Sequence, residues 1–463
     1  MNRDMFNHYD PQKLLIPEWL IKMQCAIFAI LWTITMLPNV LIFRNAALII
    51  GAIIGVYVVI KDRDALMTKR SIPLVIIGSL FIWVTLHLLF IGKNHSLQWD
   101  EYQSLWKRAF LGSLFTLGLG LSLINSKKSY WVFIFAGICG PVLIYYLKYL
   151  IKLSSGYFGF SIPEAMVLYT QAVNSFYIPK ISYVLYCLPA LAIAFGCLAK
   201  LLKSKDINWI FSFICIMAIM SVLGIFYLEN IKNGFLYAFL LTLIFFISLF
   251  SSREKKLSFK GYFLIAILGF VILFAVFNNL QINNSWKTLI ADSKVAMQMQ
   301  PEDVWIKTTF NYPLNENGQT VSLTNFDRIF YLSTAVTFVK QYPLGYGLVH
   351  SSFGHIARES YPNAPLIQSH SGWMDLVLGL GIPGAAILLV ASILAMLRVS
   401  SLGSPWGIFG VWSLLSVVLL FLTTEVSQKN FVDTYVWLVV LVASLGLSDA
   451  QGESATHNLV KYD

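Results

Sequence analysis

A single histidine, His370, opens a hydrophobic segment and is the residue of this sequence best suited to proton transfer. It stands in the run Ser-His-Ser-Gly-Trp-Met-Asp at 369–375, and Gly-Leu-Gly-Ile-Pro-Gly follows at 379–384. An imidazole exchanges protons near neutral pH, so at the mouth of a membrane helix it can act as a general base. The alternative is an imidazole at the level of the lipid headgroups that bonds only a backbone carbonyl.

Four neighbours of His370 could support such a base. Ser371 follows directly, and Asp375 lies about one and a half helical turns deeper, where burial of an ionisable group is costly unless it has a role. Five residues rotate Asp375 away from the face of His370, so we do not expect the two to pair directly. Gly381 and Gly384 would permit close helix contact, which by itself is enough to explain them.

Basic residues near the predicted outer ends of membrane helices could bind a phosphate group. Arg328 is placed in the first turn of an amphipathic helix, where free backbone amides also favour an anion. The alternative explanation of Arg328 is a solvated side chain that pairs with Asp327. Lys107, Arg108 and Lys232 lie at the starts of other helices, and for them attraction to anionic lipid headgroups is the competing explanation.

The composition is that of an integral membrane protein, because 57% of the 463 residues are hydrophobic and only 12% are charged. The apolar residues form blocks of roughly twenty, long enough as helices to span a hydrocarbon layer about 30 Å thick. No block alternates with period two as a barrel strand would, so we predict an all-α polytopic fold with about twelve transmembrane helices. The predicted spans are residues 20–42, 45–60, 72–92, 109–124, 130–151, 181–201, 208–228, 234–250, 261–279, 373–397, 407–423 and 434–448.

One connection between the predicted spans is long, and long loops usually carry function. It divides the chain into spans one to nine at 1–279, a loop at 280–372, spans ten to twelve at 373–448 and a tail at 449–463. In the second half of the loop, apolar residues recur at helical spacing until Pro-Leu-Gly-Tyr-Gly at 343–347 ends the pattern.

Alternate short connections differ in their content of Lys and Arg, which predicts the orientation of the chain. The richer set includes both termini, so we expect the termini in the cytoplasm and the long loop outside. The net charge of +10 then reflects membrane topology, and the absence of a basic run with interleaved aromatics argues against nucleic-acid binding. The sequence has no CxxC, no HExxH and no nucleophile elbow, so we expect no metal site and no disulfide framework.

In these features the chain resembles the bacterial O-antigen ligase family, a group that includes O-antigen polymerases. The resemblance covers nearly the whole chain and rests on twelve spans, the large loop after the ninth span, and a pattern of His, then Asn, Ser or Gln, nine residues, Gly, two residues and Gly. His370, Ser371, Gly381 and Gly384 supply that pattern here. The family often continues with Thr, whereas this chain has Ala385.

Two further family features lie outside the histidine pattern. Arg328 precedes the Pro-Leu-Gly-Tyr-Gly turn at 343–347, as an arginine does in the family. A Ser-Arg-Gly-like start of a span is matched by Ile-Lys-Asn-Gly at 231–234, where Lys232 replaces the arginine. Lysine lacks the planar fork of a guanidinium, so Lys232 would bind phosphate as a point charge.

The resemblance implies a GT-C-type, metal-independent, inverting glycosyltransferase of lipopolysaccharide biosynthesis that uses no cofactor. The donor would be undecaprenyl-diphosphate-linked O-antigen and the acceptor lipid A-core oligosaccharide, at the periplasmic face of the cell inner membrane among membrane lipids. His370 would deprotonate the acceptor hydroxyl, and Arg328, with Lys107, Arg108 and Lys232, would bind the diphosphate.

Two alternatives remain from the sequence. An O-antigen polymerase would use the same class of lipid-linked donor, and only the histidine pattern favours ligation over it. A transporter of lipid-linked glycan would show paired broken helices or related halves, which the sequence lacks. The oligomeric state is not predicted.

Overall fold

The computed structural model describes residues 16–124, 126–204, 208–250, 259–282, 284–305, 312–424 and 429–448. Regular structure in these ranges is helical, apart from one isolated bridge between Leu314 and Thr320. The predicted all-α class is therefore confirmed. The predicted cytoplasmic tail, 449–463, lies outside the described residues.

The helices fall into three groups along the chain. Before the long loop they are α1 Glu18–Ile34, α2 Leu41–Lys61, α3 Ile72–Leu86, α4 His95–Glu101, α5 Lys107–Ile124, α6 Trp131–Ile138, α7 Gly140–Phe158, α8 Lys180–Leu202, α9 Trp209–Leu228, α10 Lys232–Phe250 and α11 Phe259–Ile282. In the loop they are α12 Asn284–Lys287, α13 Leu289–Gln298, α14 Pro301–Trp305, α15 Leu323–Gln341 and α16 Ser352–Ser360. After it come α17 Gly372–Ser400, α18 Trp406–Leu420 and α19 Lys429–Leu445.

Several of these helices can cross a membrane. Among the described residues, seven are long and apolar enough, and an eighth span results if α6 and α7, bent by 42°, act together. The seven are Leu41–Lys61, Lys69–Ile91, His95–Ile124, Lys180–Leu202, Trp209–Leu228, Lys232–Phe250 and Gly372–Ser400. The other predicted spans also coincide with helices, namely α1, the α6–α7 pair, α11, α18 and α19. The chain is thus a polytopic membrane protein, and the count of twelve stays a prediction.

The transmembrane core is organised around α8, which is almost wholly buried and packs on α9, α10 and α18. Beside it, α5 packs between α2 and α19, and α17 packs on α3, α18 and α19. A helix that is apolar on all sides is stable only inside a bundle or in lipid, which explains why α8 occupies the centre.

The loop forms a second, smaller core of aromatic and aliphatic side chains. Its buried members include Trp305, Phe326, Phe330, Phe338 and Phe353. The apolar face of α15 supplies three of these five rings, and α15 also packs on α13 and α17. The loop is therefore a packed unit held against the start of α17, and it can position side chains rigidly.

The predicted amphipathic helix of the loop is α15, but its start differs from the prediction. The helix begins at Leu323 with Ser322 as N-cap, so Arg328 lies in its second turn. The prediction that Arg328 occupies the first turn, beside free backbone amides, is therefore wrong. Any anion bound by Arg328 must be held by side chains, because backbone amides are free only in the first turn.

Candidate active site

The turn before α17 presents the side chain of His370. Its φ of 60° lies in the left-handed region, which costs a residue with a Cβ about 1–2 kcal/mol. Asp375 holds the turn, since its Oδ1 accepts from the Ser369 amide at 2.9 Å and from the Ser369 hydroxyl at 2.7 Å. The Asp375 amide in turn donates to the Ser371 carbonyl at 2.9 Å. Asp375 thus acts on the backbone that carries His370, a role its helical register could not reveal.

Ser371 begins α17 as its N-cap residue. Its Oγ accepts from the Met374 amide at 3.4 Å. The serine that follows the histidine therefore caps the membrane helix immediately after the turn that carries His370.

Across the turn, the ring of His370 lies against the ring of Tyr331 from α15. The ring centroids are 5.6 Å apart and the planes differ by 19°. Arg328 and Asp327 precede Tyr331 by three and four residues, so all three occupy one face of α15. The helix therefore brings a guanidinium, a carboxylate and a phenol to the side that faces the imidazole.

Asp327 lies within electrostatic reach of His370. The carboxylate is half-buried, and the Tyr312 hydroxyl donates to its Oδ1 at 3.3 Å. Burial raises the pKa of Asp327 above its usual range, while the Tyr312 hydrogen bond and the charge on the His370 imidazole act in the opposite direction. The sequence suggested Asp327 only as a partner of Arg328.

Two predicted phosphate-binding cations converge beside this face. Arg328 Nη1 donates to Asn233 Oδ1 at 2.8 Å, and the neighbouring Lys232 donates from Nζ to Ser285 Oγ at 2.7 Å. Their positive charges are close enough to repel each other. Such a pair of half-buried cations from α10 and α15 is suited to a ligand with two negative charges.

The two predicted glycines have different surroundings. At Gly381, φ 73° and ψ 174° break α17, and a Cβ there would lie 2.2 Å from the carbonyl carbon of Leu344. Gly384 faces α3 instead, where a Cβ would lie 2.9 Å from Nε1 of Trp83. Close helix contact therefore explains Gly384, whereas Gly381 contacts a loop turn.

That turn is Pro-Leu-Gly-Tyr-Gly at 343–347, which docks into the break of α17 by backbone hydrogen bonds. The Tyr346 amide donates to the Leu378 carbonyl at 2.7 Å, and the Gly347 amide to the Gly379 carbonyl at 2.8 Å. Trp83 Nε1 donates to the Leu380 carbonyl at 2.7 Å. Carbonyls freed by the break thus regain donors, which a broken helix requires at membrane depth.

The part of the chain that contains these features matches a known family. Residues 212–389 match the O-antigen ligase family model. No curated protein matches the chain. The match confirms the resemblance over this segment and supports a glycosyltransferase-like ligase or polymerase activity on lipid-linked polysaccharide in the membrane.

The matched segment contains His370, both predicted glycines, Arg328 and Lys232. It begins in α9 and ends in α17, so it includes the whole loop and the break at Gly381. Lys107 and Arg108 lie before it. Their assignment to the same site therefore has less support than that of Arg328.

The loop is fixed near Arg328 by a buried carboxylate, Asp292. It accepts from Thr288 Oγ1 at 2.6 Å, from Asn315 Nδ2 and Asn325 Nδ2 at 2.9 Å, and from the Ser322 amide at 3.2 Å. Burial alone would raise the pKa of Asp292, but these hydrogen bonds outweigh it and lower the pKa below its usual value. Asp292 thereby anchors the start of α15, and one aspartate in a polar loop gave no sequence signal.

A second carboxylate, Glu101 at the end of α4, fixes the other side of the loop. It is buried and accepts from the Val349 amide at 2.8 Å and the His350 amide at 2.9 Å. Nδ1 of His350 lies 3.3 Å from Nε2 of Gln368, two residues before His370. The hydrogen bonds of Glu101 gave no sequence signal, because they join positions 248 and 249 residues apart in the chain.

Arg108 and Lys107 have other surroundings. Arg108 Nε donates to Asp433 Oδ2 of α19 at 2.8 Å, whereas Lys107 is exposed at the start of α5. Among the described residues, no group of three His, Cys, Asp or Glu side chains is placed to hold a metal ion. The groups gathered at His370 are those of acid–base and phosphate-binding chemistry.

Proposed function

We propose that this protein is an O-antigen ligase that transfers O-antigen from undecaprenyl diphosphate to lipid A-core oligosaccharide. The reaction would take place at the periplasmic face of the inner membrane, with both termini cytoplasmic. One observation carries the proposal: α15 presents Arg328 on the same face as Tyr331, whose ring stacks on His370 at 5.6 Å. This contact supports a site in which His370 acts as the base and Arg328 binds phosphate at one end of α15.

The chemistry requires little beyond these groups. His370 takes the proton of the acceptor hydroxyl as its oxygen attacks the anomeric carbon. The bond between that carbon and the diphosphate oxygen breaks, and its electron pair leaves with the diphosphate. Arg328 and Lys232 stabilise the charge that develops on the leaving group. Attack from the side opposite the diphosphate inverts the anomeric centre.

Asp327 and Tyr331 would assist the base. The carboxylate of Asp327, within electrostatic reach of the ring, stabilises the imidazolium that forms when His370 takes the proton. The ring of Tyr331 fixes the plane of the imidazole. Both roles are inferred from the positions of Asp327 and Tyr331 on α15.

A cavity of about 470 Å³ between α10 and α11 suits the lipid tail of the donor. Its lining is apolar and includes Phe235, Phe239, Leu273, Phe277 and Trp286. Trp286 adjoins Ser285, the hydrogen-bond partner of Lys232. A polyprenyl chain in this groove would place its diphosphate at the two cations.

The proposal is tested with the purified full chain in lipid vesicles. Given undecaprenyl-diphosphate-linked O-antigen and lipid A-core, it should form high-molecular-weight lipopolysaccharide, and His370→Gln should form none at equal membrane abundance. His95→Gln is the matched control, because His95 contacts the Leu88 carbonyl through Nδ1 and has no part in the proposed mechanism. Product formed only when a second lipid-linked repeat is the acceptor would replace the ligase by a polymerase.

A further inference from the structure

Three charged side chains from three helices meet at a place that the proposed mechanism does not use. Arg108 of α5 donates from Nε to Oδ2 of Asp433 of α19 at 2.8 Å, and their side chains are 12% and 0% exposed. Trp437 Nε1 donates to the backbone carbonyl of Arg108 at 3.1 Å. This ion pair is therefore a fixed part of the bundle.

The third side chain is Arg44 of α2. It lies within electrostatic reach of Arg108 and Asp433, and its Nε is buried without a hydrogen-bond acceptor among the described residues. Two guanidinium groups thus share one carboxylate, which leaves an excess of one positive charge. A buried donor without a partner costs about 1–3 kcal/mol, and more when it is charged. The excess positive charge suits the cluster to bind an anion.

The surroundings of Arg44 indicate the nature of that anion. The three residues before it, Leu41, Ile42 and Phe43, are 54%, 81% and 71% exposed. On a membrane helix such apolar side chains face lipid. An anion that reaches Arg44 from this side must carry an apolar body, and a guanidinium fork matches the oxygens of a phosphate. These features suit the phosphate head of an amphipathic lipid.

The cluster lies at the same end of the bundle as His370. Tyr435, two residues after Asp433, packs edge-on against Trp373 with ring centroids 5.9 Å apart. Trp373 is the third residue after His370. Arg328 and Lys232 bond Asn233 and Ser285, which belong to α10 and α12. The two pairs of cations therefore belong to different sets of helices.

We propose that Arg44 and Arg108 form a second phosphate-binding site, which holds the phosphate head of the acceptor lipid while Arg328 and Lys232 hold the donor. The inference rests on the proposed function, because transfer between two lipids requires both to be anchored with their sugars at one base. Under this proposal Arg108 binds the acceptor phosphate, whereas the sequence predicted that it binds the donor diphosphate. The ligand is a lipid phosphate ester, either of lipid A or of a second polyprenyl-linked glycan.

Binding is measured by native mass spectrometry of the purified full chain with three probes added separately: polyprenyl diphosphate, diphosphoryl lipid A and phosphatidylglycerol. Arg44→Gln is the test variant, since it leaves the Arg108–Asp433 pair intact. Arg328→Gln tests the donor site. Arg63→Gln is the control, because the Arg63 side chain at the other end of α2 is 79% exposed.

We expect Arg44→Gln to weaken the binding of one lipid phosphate about tenfold, equivalent to roughly 1.4 kcal/mol. The donor site should remain in this variant, and Arg328→Gln should remove it. Arg63→Gln should change neither. Loss of lipid A in Arg44→Gln identifies a lipid A acceptor, and loss of a second polyprenyl diphosphate identifies a lipid-linked glycan acceptor. Both results support the proposal.

The proposal is overturned if Arg44→Gln affects only phosphatidylglycerol, which would make the cluster a contact for bulk lipid, or if it affects no probe. Kinetics give a second readout. Arg44→Gln should raise the KM for the acceptor about tenfold and leave the KM for the donor within about twofold. Failure of the proposed function is seen separately, as a wild-type protein that binds both lipids and forms no product.

Discussion

Tyr331 and His370 lie with their rings nearly parallel, 5.6 Å between centroids, although one belongs to the loop helix and the other to the turn before α17. The contact joins two otherwise separate parts of the proposed site. It also makes the orientation of the imidazole depend on α15, the helix that carries Arg328.

The first prediction concerns this contact. Tyr331→Phe keeps the ring and should retain turnover within about threefold, whereas Tyr331→Leu should lower kcat about tenfold, since aromatic pairs contribute about 0.5–1.5 kcal/mol. Turnover is measured in vesicles at equal protein abundance. Tyr157→Leu, at a side chain 84% exposed, is the control. Equal losses in the Phe and Leu variants would show that the hydroxyl, not the ring, is needed.

The second prediction concerns pH and Asp327. Burial raises the pKa of this carboxylate above its usual range, while the Tyr312 hydrogen bond and the charge on the His370 imidazole act against that rise. A carboxylate with a raised pKa takes up its proton within the acidic limb of the pH–rate profile, so Asp327→Asn, which has no carboxylate to titrate, should move that limb to lower pH. The maximal rate should fall, because the imidazolium formed in the reaction is no longer stabilised.

The measurement is the full pH profile of kcat for both proteins. Asp375, Tyr331 and Arg328 remain unchanged in the variant, so the shift reports the missing carboxylate. Glu316→Gln, which removes an exposed carboxylate paired with Lys294 at 2.9 Å, should leave the profile in place. A lower rate with an unmoved acidic limb would mean that Asp327 supports only the fold of the loop.

The sequence predicted local structure well because hydrophobic periodicity is a property of neighbouring residues. It located the helices, the loop and α15, and it selected His370 and Arg328. It could not supply contacts between distant positions. Asp433, the partner of Arg108, is 325 residues away in the chain.

Gly381 is a second position where the sequence could not indicate a contact between distant residues. Two glycines after a histidine predicted a close contact, but only the folded chain shows that a loop turn rather than a helix fills the space. Tyr331 gave no signal either, since aromatic residues at helical spacing usually belong to a core. The sequence therefore indicated the proposed reacting groups more completely than the residues that position them.

The third prediction tests the break in α17. Gly381→Ala introduces a Cβ 2.2 Å from a backbone atom and a residue unsuited to φ 73°, so we expect a loss of about 2–4 kcal/mol in the free energy of unfolding. Thermal unfolding of the purified protein measures it. Gly78→Ala on α3, where a Cβ meets nothing within 4 Å, should be neutral or slightly stabilising. Equal stability of the two variants would contradict the docking of the turn.

The fourth prediction concerns Asp292 and the acid stability of the loop. Its pKa is lowered in the folded protein, so its contribution is complete above the ordinary Asp value of about 4 and is lost as the pH falls through the folded value. Asp292→Asn replaces an acceptor oxygen with a donor, facing Thr288, Asn325 and the Ser322 amide. We expect a local loss of about 1–3 kcal/mol, seen as faster hydrogen exchange in α13 and the first turns of α15. Because α15 carries Arg328, Asp292→Asn should also raise the KM for the donor, whereas a loss confined to exchange rates would show that the start of α15 does not control diphosphate binding.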